Sequence, residues 1–515
     1  MSKGKLLAVC LVWLVLLGVG AACWKLLFVP ARNAVEEQAQ KELVEQEEQQ
    51  RQAKLKGAGS QSRYKNQIDF HLDSFSGYAI VRSDAFSQEL AKRGIRLNLQ
   101  DDGADYAARI RALQSGDAQL AVFTIDALVK ASAELNDMPA TIVALVDETT
   151  GADAIVAYKS KVPNIDALNN ADTRFVLTPS SPSETLARVV MSRFELNSLA
   201  ENPFIEANDA AAVFDRYKQA KPNESLAYVL WQPYVSQVLK NSQMHVVVDS
   251  SRFPSTIVDV IVANRDFVLK NHDVVKDFVE CYLRAVYRYR DRPEMVKLVI
   301  QDAKQTGSPL TAEQANQLAE GIWWKNTQEN LAHMGLLPGK SLPHVEDVIA
   351  NLIDVLQQTG AIDADPTQGN PNYLYYARLF DELRSFHPGD QPEKVRDVRM
   401  PALNDSQWEQ LEEVGTARVS ALVFARGTDR LTERSRRVLD ELANSLKTTR
   451  FYVKIRGNAS RRGDLEQNKQ LAERRAKAAE AYLTAQGVDK NRMHAVGGEP
   501  SGTTSVTFVL GQLPY

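Results

Sequence analysis

The apolar and polar positions of this chain follow three successive patterns, and the first is an uninterrupted apolar run at residues 6–24. The run contains no charged residue and follows Lys3 and Lys5. As a helix it would be about 28 Å long, close to the thickness of the hydrocarbon layer of a bilayer. Because lysines beside a membrane helix stay on the cytoplasmic side, the pattern predicts a membrane helix within residues 1–28 that exports everything after it.

Three fates of this apolar segment are compatible with its sequence. A retained anchor, which the length of the run favours, would make the chain a single-pass protein of the inner membrane with its bulk in the periplasm. A cleaved signal peptide is suggested by the small residues at 20–22. A lipoprotein cut before Cys23 is the third alternative, although Gly20 stands where that signal usually has leucine. All three fates export the protein.

The second pattern, at residues 34–56, is polar and typical of a helix. This segment lacks glycine and proline and consists mostly of Glu, Gln, Lys and Ala, which are strong helix formers. Its apolar stripe is short, so the segment is either a solvated spacer helix or a dimerisation helix. Glycine and serine at 57–62 predict a flexible joint, so residues 29–62 form a spacer.

The third pattern begins near residue 67, where short apolar runs alternate with amphipathic stretches. This alternation predicts the strands and helices of a parallel α/β sheet. The predicted strands are 68–72, 96–99, 120–123, 142–145, 154–158, 175–177, 226–229, 246–248 and 257–262. Helices should dominate from 273 to about 355, and turn-rich passages at 363–372 and 387–399 predict a connector at 341–415.

Residues 416–515 also alternate between short apolar runs and amphipathic stretches, over a shorter length of chain. They predict strand 419–424, helix 433–447, strand 452–455, helix 465–486 and strand 505–509. The segment is therefore expected to form a separate, smaller α/β unit.

Composition narrows the function classes. A chain of 515 residues is too long for one hydrophobic core. The net charge of −4 argues against nucleic acid as a partner, because no basic excess is present to neutralise phosphates. Cys10 and Cys23 lie in the apolar run, so Cys281 has no partner for a disulfide in the folded portion.

No hydrolase, metalloprotease, dithiol or nucleotide-binding motif occurs, so we expect a protein that is not an enzyme and uses no cofactor or metal.

Polar loops follow several predicted strands, at the edge where open α/β sheets bind ligands. Loops 73–78 and 124–126 follow the first and third strands, and loop 178–184 precedes a helix. The hydroxyls and free backbone N–H groups of loop 178–184 would favour an anion or a carbonyl group. Alternatively, Ser181 or Ser183 simply caps that helix.

Residues 66–336 resemble the periplasmic solute-binding proteins of ABC importers for nitrate, taurine and sulfonates. The resemblance is carried by SFSGYA at 74–79, ARIRALQSGDAQLAVFTIDAL at 108–128, VDETTGADAIVA at 146–157, VLWQPYV at 229–235 and STIVDVIVANRDFV at 255–268. It implies two α/β lobes, over residues 63–340, that close on a small solute or peptide. The cleft residues that the resemblance implies are Phe75, Tyr78, Thr124, Asp126, Thr149, Asp153, Ser181, Trp231 and Asp259. By residue type alone, the three aromatics among them are equally typical of a core, and Asp153 of a turn.

Residues 419–509 resemble the OmpA-like C-terminal domain. The segments VSALVFARGTDRLTERSRRVLDELANSL at 419–446, VKIRGNASRRGDLEQNKQLAERRAKAAEAYLTAQGV at 453–488 and NRMHAVGGEP at 491–500 carry this resemblance. It implies an α/β sandwich that binds the diaminopimelate stem peptide of peptidoglycan. Asn468 and Arg475 match residues of the family's site, whereas Ser460 stands where the family has an aspartate.

The serine at position 460 bears on wall binding, because a zwitterionic ligand needs an anion for its ammonium and a cation for its carboxylate. Arg475 would grip the carboxylate through two hydrogen bonds, but Ser460 offers the ammonium only a neutral contact. Losing one charge-assisted hydrogen bond costs about 1.5–3 kcal/mol, or one to two decades of affinity. We therefore expect peptidoglycan binding to be weakened or retuned.

Three functions are compatible with this order of parts. The first is a membrane-anchored envelope protein that links a small-solute cleft to a peptidoglycan-binding type of domain. The second is a tethered substrate receptor of an ABC importer. The third is a scaffold that binds a protein partner, with both ancestral ligand sites repurposed.

Overall fold

The structure is a computed structural model that describes residues 64–337, 342–500 and 505–513. The predicted membrane helix at 6–24 and the spacer at 29–62 lie outside these residues. Among the described helices, none is both long and apolar enough to cross a bilayer.

Strands and helices alternate through the described residues and are numbered here in chain order. The strands are β1 (Asn66–Leu72), β2 (Ile95–Asp101), β3 (Leu120–Thr124), β4 (Ala140–Thr149), β5 (Asp153–Tyr158), β6 (Arg174–Leu177), β7 (Phe204–Glu206), β8 (Leu226–Trp231), β9 (Met244–Asp249), β10 (Val258–Asn264), β11 (Ile322–Trp324), β12 (Glu412–Thr416), β13 (Tyr452–Ala459), β14 (Met493–Pro500) and β15 (Val506–Gln512). The α-helices are α1 (Ala79–Arg82), α2 (Asp84–Lys92), α3 (Tyr106–Ser115), α4 (Ile125–Leu135), α5 (Pro182–Arg193), α6 (Ala210–Lys218), α7 (Tyr234–Val238), α8 (Arg265–Lys270), α9 (His272–Arg288), α10 (Arg292–Gln305), α11 (Ala312–Gly321), α12 (Thr327–His333), α13 (Val345–Gln358), α14 (Ala377–Glu382), α15 (Asp405–Gln410), α16 (Glu433–Lys447) and α17 (Leu465–Ala485).

Lobe 1 is built on a sheet with the strand order β11-β4-β10-β3-β1-β2. β1 runs parallel to β2 and β3, whereas β10 is antiparallel to both β3 and β4. β3 and β4 are buried along their whole length, in agreement with their nearly continuous apolar sequences.

Lobe 2 is built on a second sheet with the order β7-β6-β8-β5-β9. β6 is parallel to β7 and β8, and β5 is antiparallel to β8 and β9. The two predicted α/β lobes are therefore present as two separate sheets.

Both sheets are mixed, so the prediction of a parallel sheet holds for β1–β3 and β6–β8 and is wrong for β4, β5, β9, β10 and β11. The chain passes from lobe 1 to lobe 2 between β4 and β5, and it returns between β9 and β10. β5 and β10 both start at the boundary between the lobes, whereas their neighbours in the sheet end there. β10 is therefore antiparallel to β3 and β4, and β5 is antiparallel to β8 and β9. Hydrophobic patterning reports burial and not strand direction, so it missed these two reversals.

The C-terminal unit has a third sheet, with the order β12-β15-β13-β14. Helix α16 begins and ends at the predicted residues, and its first turn is capped by the Thr432 hydroxyl, which accepts a hydrogen bond from the Ser435 N–H at 3.3 Å. Helix α17 lies against β13 so closely that a Cβ atom on Gly457 would come within 1.9 Å of the Ala472 carbonyl oxygen. Only glycine is compatible with that helix–sheet distance.

The strand predicted at 419–424 is not formed. The position beside β15 is taken by β12, where the Glu413 carboxylate forms ion pairs with Lys454 and Arg456. Residues 419–424 instead cross the surface as a non-strand segment, with the Val423 N–H and carbonyl both held by the Ser435 hydroxyl at 2.7 Å. β14 was absent from the predicted elements, because its glycine-containing sequence lacks an alternating apolar pattern.

Lobe 2 and the C-terminal unit share one hydrophobic core. The Phe451 ring packs edge-on against Phe194 and Phe253 of lobe 2, at centroid distances of 5.8 and 5.6 Å. Helix α13, from the segment expected to be a connector, packs against α4 of lobe 1 and α5 of lobe 2. The Ser192 hydroxyl of α5 donates to the Gln358 side chain at the end of α13 at 2.8 Å.

Candidate ligand cleft and wall-type site

A row of polar side chains lies across the central strands of lobe 1, where the lobe meets its neighbour. Asp259 of β10 is in register with Thr124 of β3 on one side and with Asp147 of β4 on the other. All three residues are at most 2% exposed. The row lies at the ends of β3 and β4 and at the start of β10, which is the edge of the sheet next to the crossovers.

Tyr78 covers this row from the turn after β1. Its hydroxyl donates a 2.5 Å hydrogen bond to Asp259 Oδ1. The turn is held in place by Arg82, whose guanidinium donates to the carbonyls of Asp73 and Phe75 at 2.7 and 2.6 Å. Burial raises the pKa of Asp259 to about 7, although the hydrogen bond from Tyr78 acts in the opposite direction.

Asp147 is the most enclosed carboxyl of the row, with no exposed surface. Burial, and then repulsion by Asp259, raise the pKa of Asp147 well above its usual range. Neither oxygen of Asp147 forms a hydrogen bond of normal geometry within the described residues, but the carboxyls of Asp147 and Asp259 are close enough to interact. A contact between Asp147 and Asp259 therefore needs a proton on one of the two carboxyls.

Asp126, in the first turn of α4, faces lobe 2. Its Oδ2 atom accepts a short hydrogen bond from the Thr185 hydroxyl of α5. Beside it, Lys130 of α4 forms an ion pair with Glu184 of α5 at 3.0 Å. Burial raises the pKa of Asp126. These contacts join the lobes directly, so the cleft is closed.

Asp153 starts β5 and brings the second lobe's carboxyl to the cleft. It is in register with Trp231 of β8 and is 2% exposed. Burial, and secondarily repulsion by Asp126, raise the pKa of Asp153 to about 7. The Thr149 hydroxyl lies close to the Asp153 carboxyl and favours its ionised form, which lowers the pKa of Asp153 in part. The Thr149 oxygen forms no hydrogen bond of normal geometry within the described chain.

The cations near the cleft already have carboxylate partners. Lys325 Nζ lies 2.5 Å from Glu148 Oε2, and both side chains are almost completely buried. Arg109 has no exposed surface and pairs with Asp73 and Asp102. Lys130 is held by Glu184. Within the described residues no ion pair reaches the carboxyls at the centre of the cleft, which are Asp126, Asp147, Asp153 and Asp259.

Several buried polar atoms in the same place lack hydrogen bonds within the described chain. Buried polar atoms are normally paired, so a group of unpaired ones marks a place that a ligand or water completes. The atoms concerned are Thr124 Oγ1, Asp126 Oδ1, both carboxyl oxygens of Asp147, Thr149 Oγ1 and Ser183 Oγ.

The sequence-derived cleft residues therefore fall in one region of the fold. The Phe75 ring is half-buried and packs edge-on against Tyr78 at 5.3 Å. The Trp231 side chain is half-buried at the end of β8. Ser181 occupies the N-cap position of α5, as the alternative predicted, but its hydroxyl donates to the Thr178 carbonyl at 2.6 Å and makes no capping hydrogen bond to the helix.

Sequence reasoning missed two residues of this region. Asp147 is a carboxylate inside the buried apolar strand ATIVALVDET, and such an interruption was the available signal. Thr185 gave no signal, because threonine on a helix is commonplace.

The residues predicted for the wall-type site lie in the loop after β13 (Ser460) and on α17 (Asn468 and Arg475). Asn468 donates to the carbonyls of Ser460 and Arg462 at 3.1 and 2.8 Å, which folds the loop after β13 onto the helix. Arg475 lies two turns further along and donates to the Thr428 carbonyl at 2.9 Å. Its guanidinium packs 4.9 Å from the centre of the Phe424 ring, and burial lowers the pKa of Arg475 while Asp429 opposes this shift.

Residues 423–504 match the OmpA family. The C-terminal unit is an OmpA-family domain. It is also 35% identical over 85 residues to the peptidoglycan-associated lipoprotein of Pseudomonas putida, a match that covers 16% of this chain and 51% of the relative. The chain thus spans about half the length of this curated relative.

The part of the chain before the OmpA domain is similar in structure to ligand-binding components of importers. The putative periplasmic sulfonate-binding protein of Methylobacillus flagellatus superposes with a TM-score of 0.48 at 12% identity, covering 65% of this chain and 100% of that one. For the periplasmic nitrate-binding protein of Synechocystis PCC 6803 the TM-score is 0.46 and the identity 14%, with coverages of 62% and 89%. These identities are too low to carry a ligand from one protein to another.

Proposed function

We propose that this chain is an envelope binding protein whose two-lobed module closes on a small organic cation and whose OmpA domain holds that module at the cell wall. The observation that carries the ligand class is the set of four buried carboxyls, Asp126, Asp147, Asp153 and Asp259, without a cation of their own in the described residues. The apolar run at 6–24 supports an anchor in the inner membrane.

The charge of the cleft decides between a cationic and an anionic ligand. A cation brought beside these carboxyls favours their ionised forms, whereas an anion would be repelled by any carboxyl that is ionised. The cations of the described chain that lie near the cleft are already paired and cannot offset this repulsion. A protonated amine has up to three N–H donors and no acceptor, which suits unpaired carboxyl and hydroxyl oxygens. Each charge-assisted hydrogen bond contributes about 1.5–3 kcal/mol. The half-buried rings of Phe75 and Trp231 add aromatic surface of the kind that attracts organic cations.

This prediction replaces the expectation that loop 178–184 favours an anion. The Ser181 hydroxyl already donates its proton to a backbone carbonyl. The neighbouring Ser180 N–H already donates to the Glu184 carboxylate at 2.6 Å. The loop therefore carries its own anion at the start of α5.

The ligand class is tested by thermal unfolding of the full chain in detergent with two panels of solutes. We expect stabilisation by one or more of putrescine, spermidine, choline and arginine, and none by taurine or nitrate at the same ionic strength. A ligand at one hundred times its Kd stabilises by about 2.7 kcal/mol. The paired substitution Asp126→Asn with Asp259→Asn should abolish the effect, whereas Asp172→Asn, at an exposed position of lobe 2, should preserve it. Stabilisation by the anions alone would refute the proposal.

The wall role is tested by sedimentation with purified peptidoglycan. Arg475→Ala should reduce the pelleted fraction, because the stem peptide would lose the group that holds its carboxylate. Arg111→Gln, an exposed position on α3, is the matched control. Equal and negligible pelleting of wild type and Arg475→Ala would remove the wall role.

The location is tested by a reporter fused after the last residue. An active periplasmic reporter that stays with the inner-membrane fraction is the expected result. A cytoplasmic reporter would refute the proposed location, since neither peptidoglycan nor an exported solute would then be within reach.

The OmpA domain packs on lobe 2, which favours a solute-binding module fixed at the cell wall over a freely diffusing carrier. Phe194, Phe253 and Phe451 form a continuous core across the two units. A solute-binding module fixed in this way moves with the wall-binding domain. Binding of the solute would then be sensed at the wall and not delivered elsewhere.

A further inference from the structure

A cavity of about 220 Å³ lies where lobe 2, helix α13, the connector and the OmpA domain meet. We call it the junction pocket. Helix α5 supplies Val189 and Arg193, helix α13 supplies Leu352 and Val355, and the OmpA domain supplies residues 447–450 and 487–489 together with Arg492. The pocket is separate from the ligand cleft and from the wall-type site, with no lining residue in common with either.

The charged residues of the junction pocket are mostly basic. Its lining contains one carboxylate, Asp489, which already accepts a 2.9 Å hydrogen bond from the Asn491 N–H. Against this single anion stand five cations, which are Arg193, Arg399, Lys447, Arg450 and Arg492.

Three of these cations have partners, and the weakest contact is that of Lys447, which donates to the Asn444 side chain at 3.5 Å. Arg399 pairs with Asp397 at 2.6 Å. The Arg492 guanidinium donates to the backbone carbonyls of Leu446 and Thr449 at 3.0 and 2.7 Å, and its side chain is nearly buried. The Arg492 guanidinium is therefore a fixed positive charge on one side of the junction pocket.

Arg193 and Arg450 are different, because no hydrogen bond or ion pair holds either guanidinium in the described chain. Both side chains are half-buried in the pocket. Burial lowers the pKa of both, and Asp354 only partly offsets this for Arg193. Arginines taken out of water are normally paired with an anion, since the desolvation of an unpaired charge is costly.

We propose that the junction pocket binds a small oxyanion, a phosphate or carboxylate attached to an apolar body, between Arg193 and Arg450. The planar guanidinium fork matches the oxygens of both groups. The walls formed by Leu352, Val355 and Val488 are apolar and buried, so they favour a ligand with an apolar part over a bare ion.

Binding at this place would strengthen the join between the modules. The pocket is lined by both lobe 2 and the OmpA domain, and it also includes α13, which contacts both lobes. A ligand that contacts all of these elements binds only when they are assembled, so it stabilises that assembly.

Isothermal titration of the full chain in detergent tests the site, with inorganic phosphate, phenyl phosphate and benzoate as probes at constant ionic strength. We expect saturable binding of phenyl phosphate or benzoate, tighter than that of inorganic phosphate. Arg193→Gln with Arg450→Gln should weaken it at least tenfold, and Arg111→Gln should leave it unchanged. The cleft variant Asp126→Asn with Asp259→Asn should also leave it unchanged.

Two results would overturn the proposal. One is the absence of saturable heat with all three probes in the wild type. The other is equal affinity in the wild type and in the folded paired variant, where folding is checked by circular dichroism. If the paired variant fails to fold, the single substitution Arg450→Gln takes its place, with the same expected loss of affinity.

Discussion

Replacing Asp153 by asparagine tests the electrostatics of the closed cleft most directly. Asp153 is buried, has no ion pair in the described chain, and has a pKa raised to about 7, chiefly by burial. In an unfolded chain an aspartate has a pKa of about 3.9. Asparagine has nearly the same size and cannot ionise, so the substitution removes the titration and leaves the packing almost unchanged.

The sign of the effect follows from proton binding. Between pH about 4 and about 7 the folded state keeps a proton on Asp153 that the unfolded state has lost, so the free energy of unfolding falls as the pH rises. Above pH 7 both states are ionised and the loss is complete. With these two pKa values, the loss between pH 5 and pH 8 is about 2–3 kcal/mol. Asp153→Asn should not show this part of the fall.

The measurement is urea unfolding of the full chain, followed by tryptophan fluorescence at pH 5, 6, 7 and 8 without added solute. The quantity of interest is the free energy of unfolding of the wild type minus that of Asp153→Asn, which should fall by about 2–3 kcal/mol across this range. Asp172→Asn, at an exposed position, serves as the matched control and should show a constant difference. A pH-independent difference between the wild type and Asp153→Asn would refute the assignment of Asp153 as a buried, unpaired acid.

Three further predictions address the rest of the molecule. Lys325→Met should destabilise the protein by about 3–5 kcal/mol, because it leaves the buried Glu148 carboxylate without its cation, and adding Glu148→Gln should recover much of the loss in urea unfolding. Ser460→Asp should tighten binding to purified peptidoglycan by one to two decades in the sedimentation assay, since it restores an anion for the ligand's ammonium, and unchanged binding would show that Arg475 no longer acts in a wall site. Phe451→Ala should cost about 3–5 kcal/mol and expose the join between lobe 2 and the OmpA domain to limited proteolysis, whereas an unchanged cleavage pattern would contradict the shared core.

The sequence by itself determined the local elements of this protein and the nature of its parts. Helix α16 was predicted at its observed bounds because its N-cap threonine, its amphipathic spacing and its end at Lys447 are all local signals. The short apolar runs of both lobes likewise identified most strands, since a buried strand needs a nearly continuous apolar sequence. The glycines, Asn468 and Arg475 of the C-terminal segment carried the resemblance to the OmpA family, which the family match confirmed.

The tertiary structure alone decided the direction of strands, the charge of the cleft and the junction between modules. Tyr78 and Asp259 are far apart in sequence and meet only because β1 and β10 lie in one sheet. Each carboxyl of the cleft looks ordinary in its own segment, and a lack of counterions becomes visible only when four of them are buried together. The strand expected at 419–424 is not formed for a related reason, because β12 occupies that sheet edge, where its Glu413 also forms ion pairs with Lys454 and Arg456 of β13. Local patterns record how a residue meets its neighbours along the chain, whereas burial of charge and competition for a sheet edge depend on residues that folding brings from a distance.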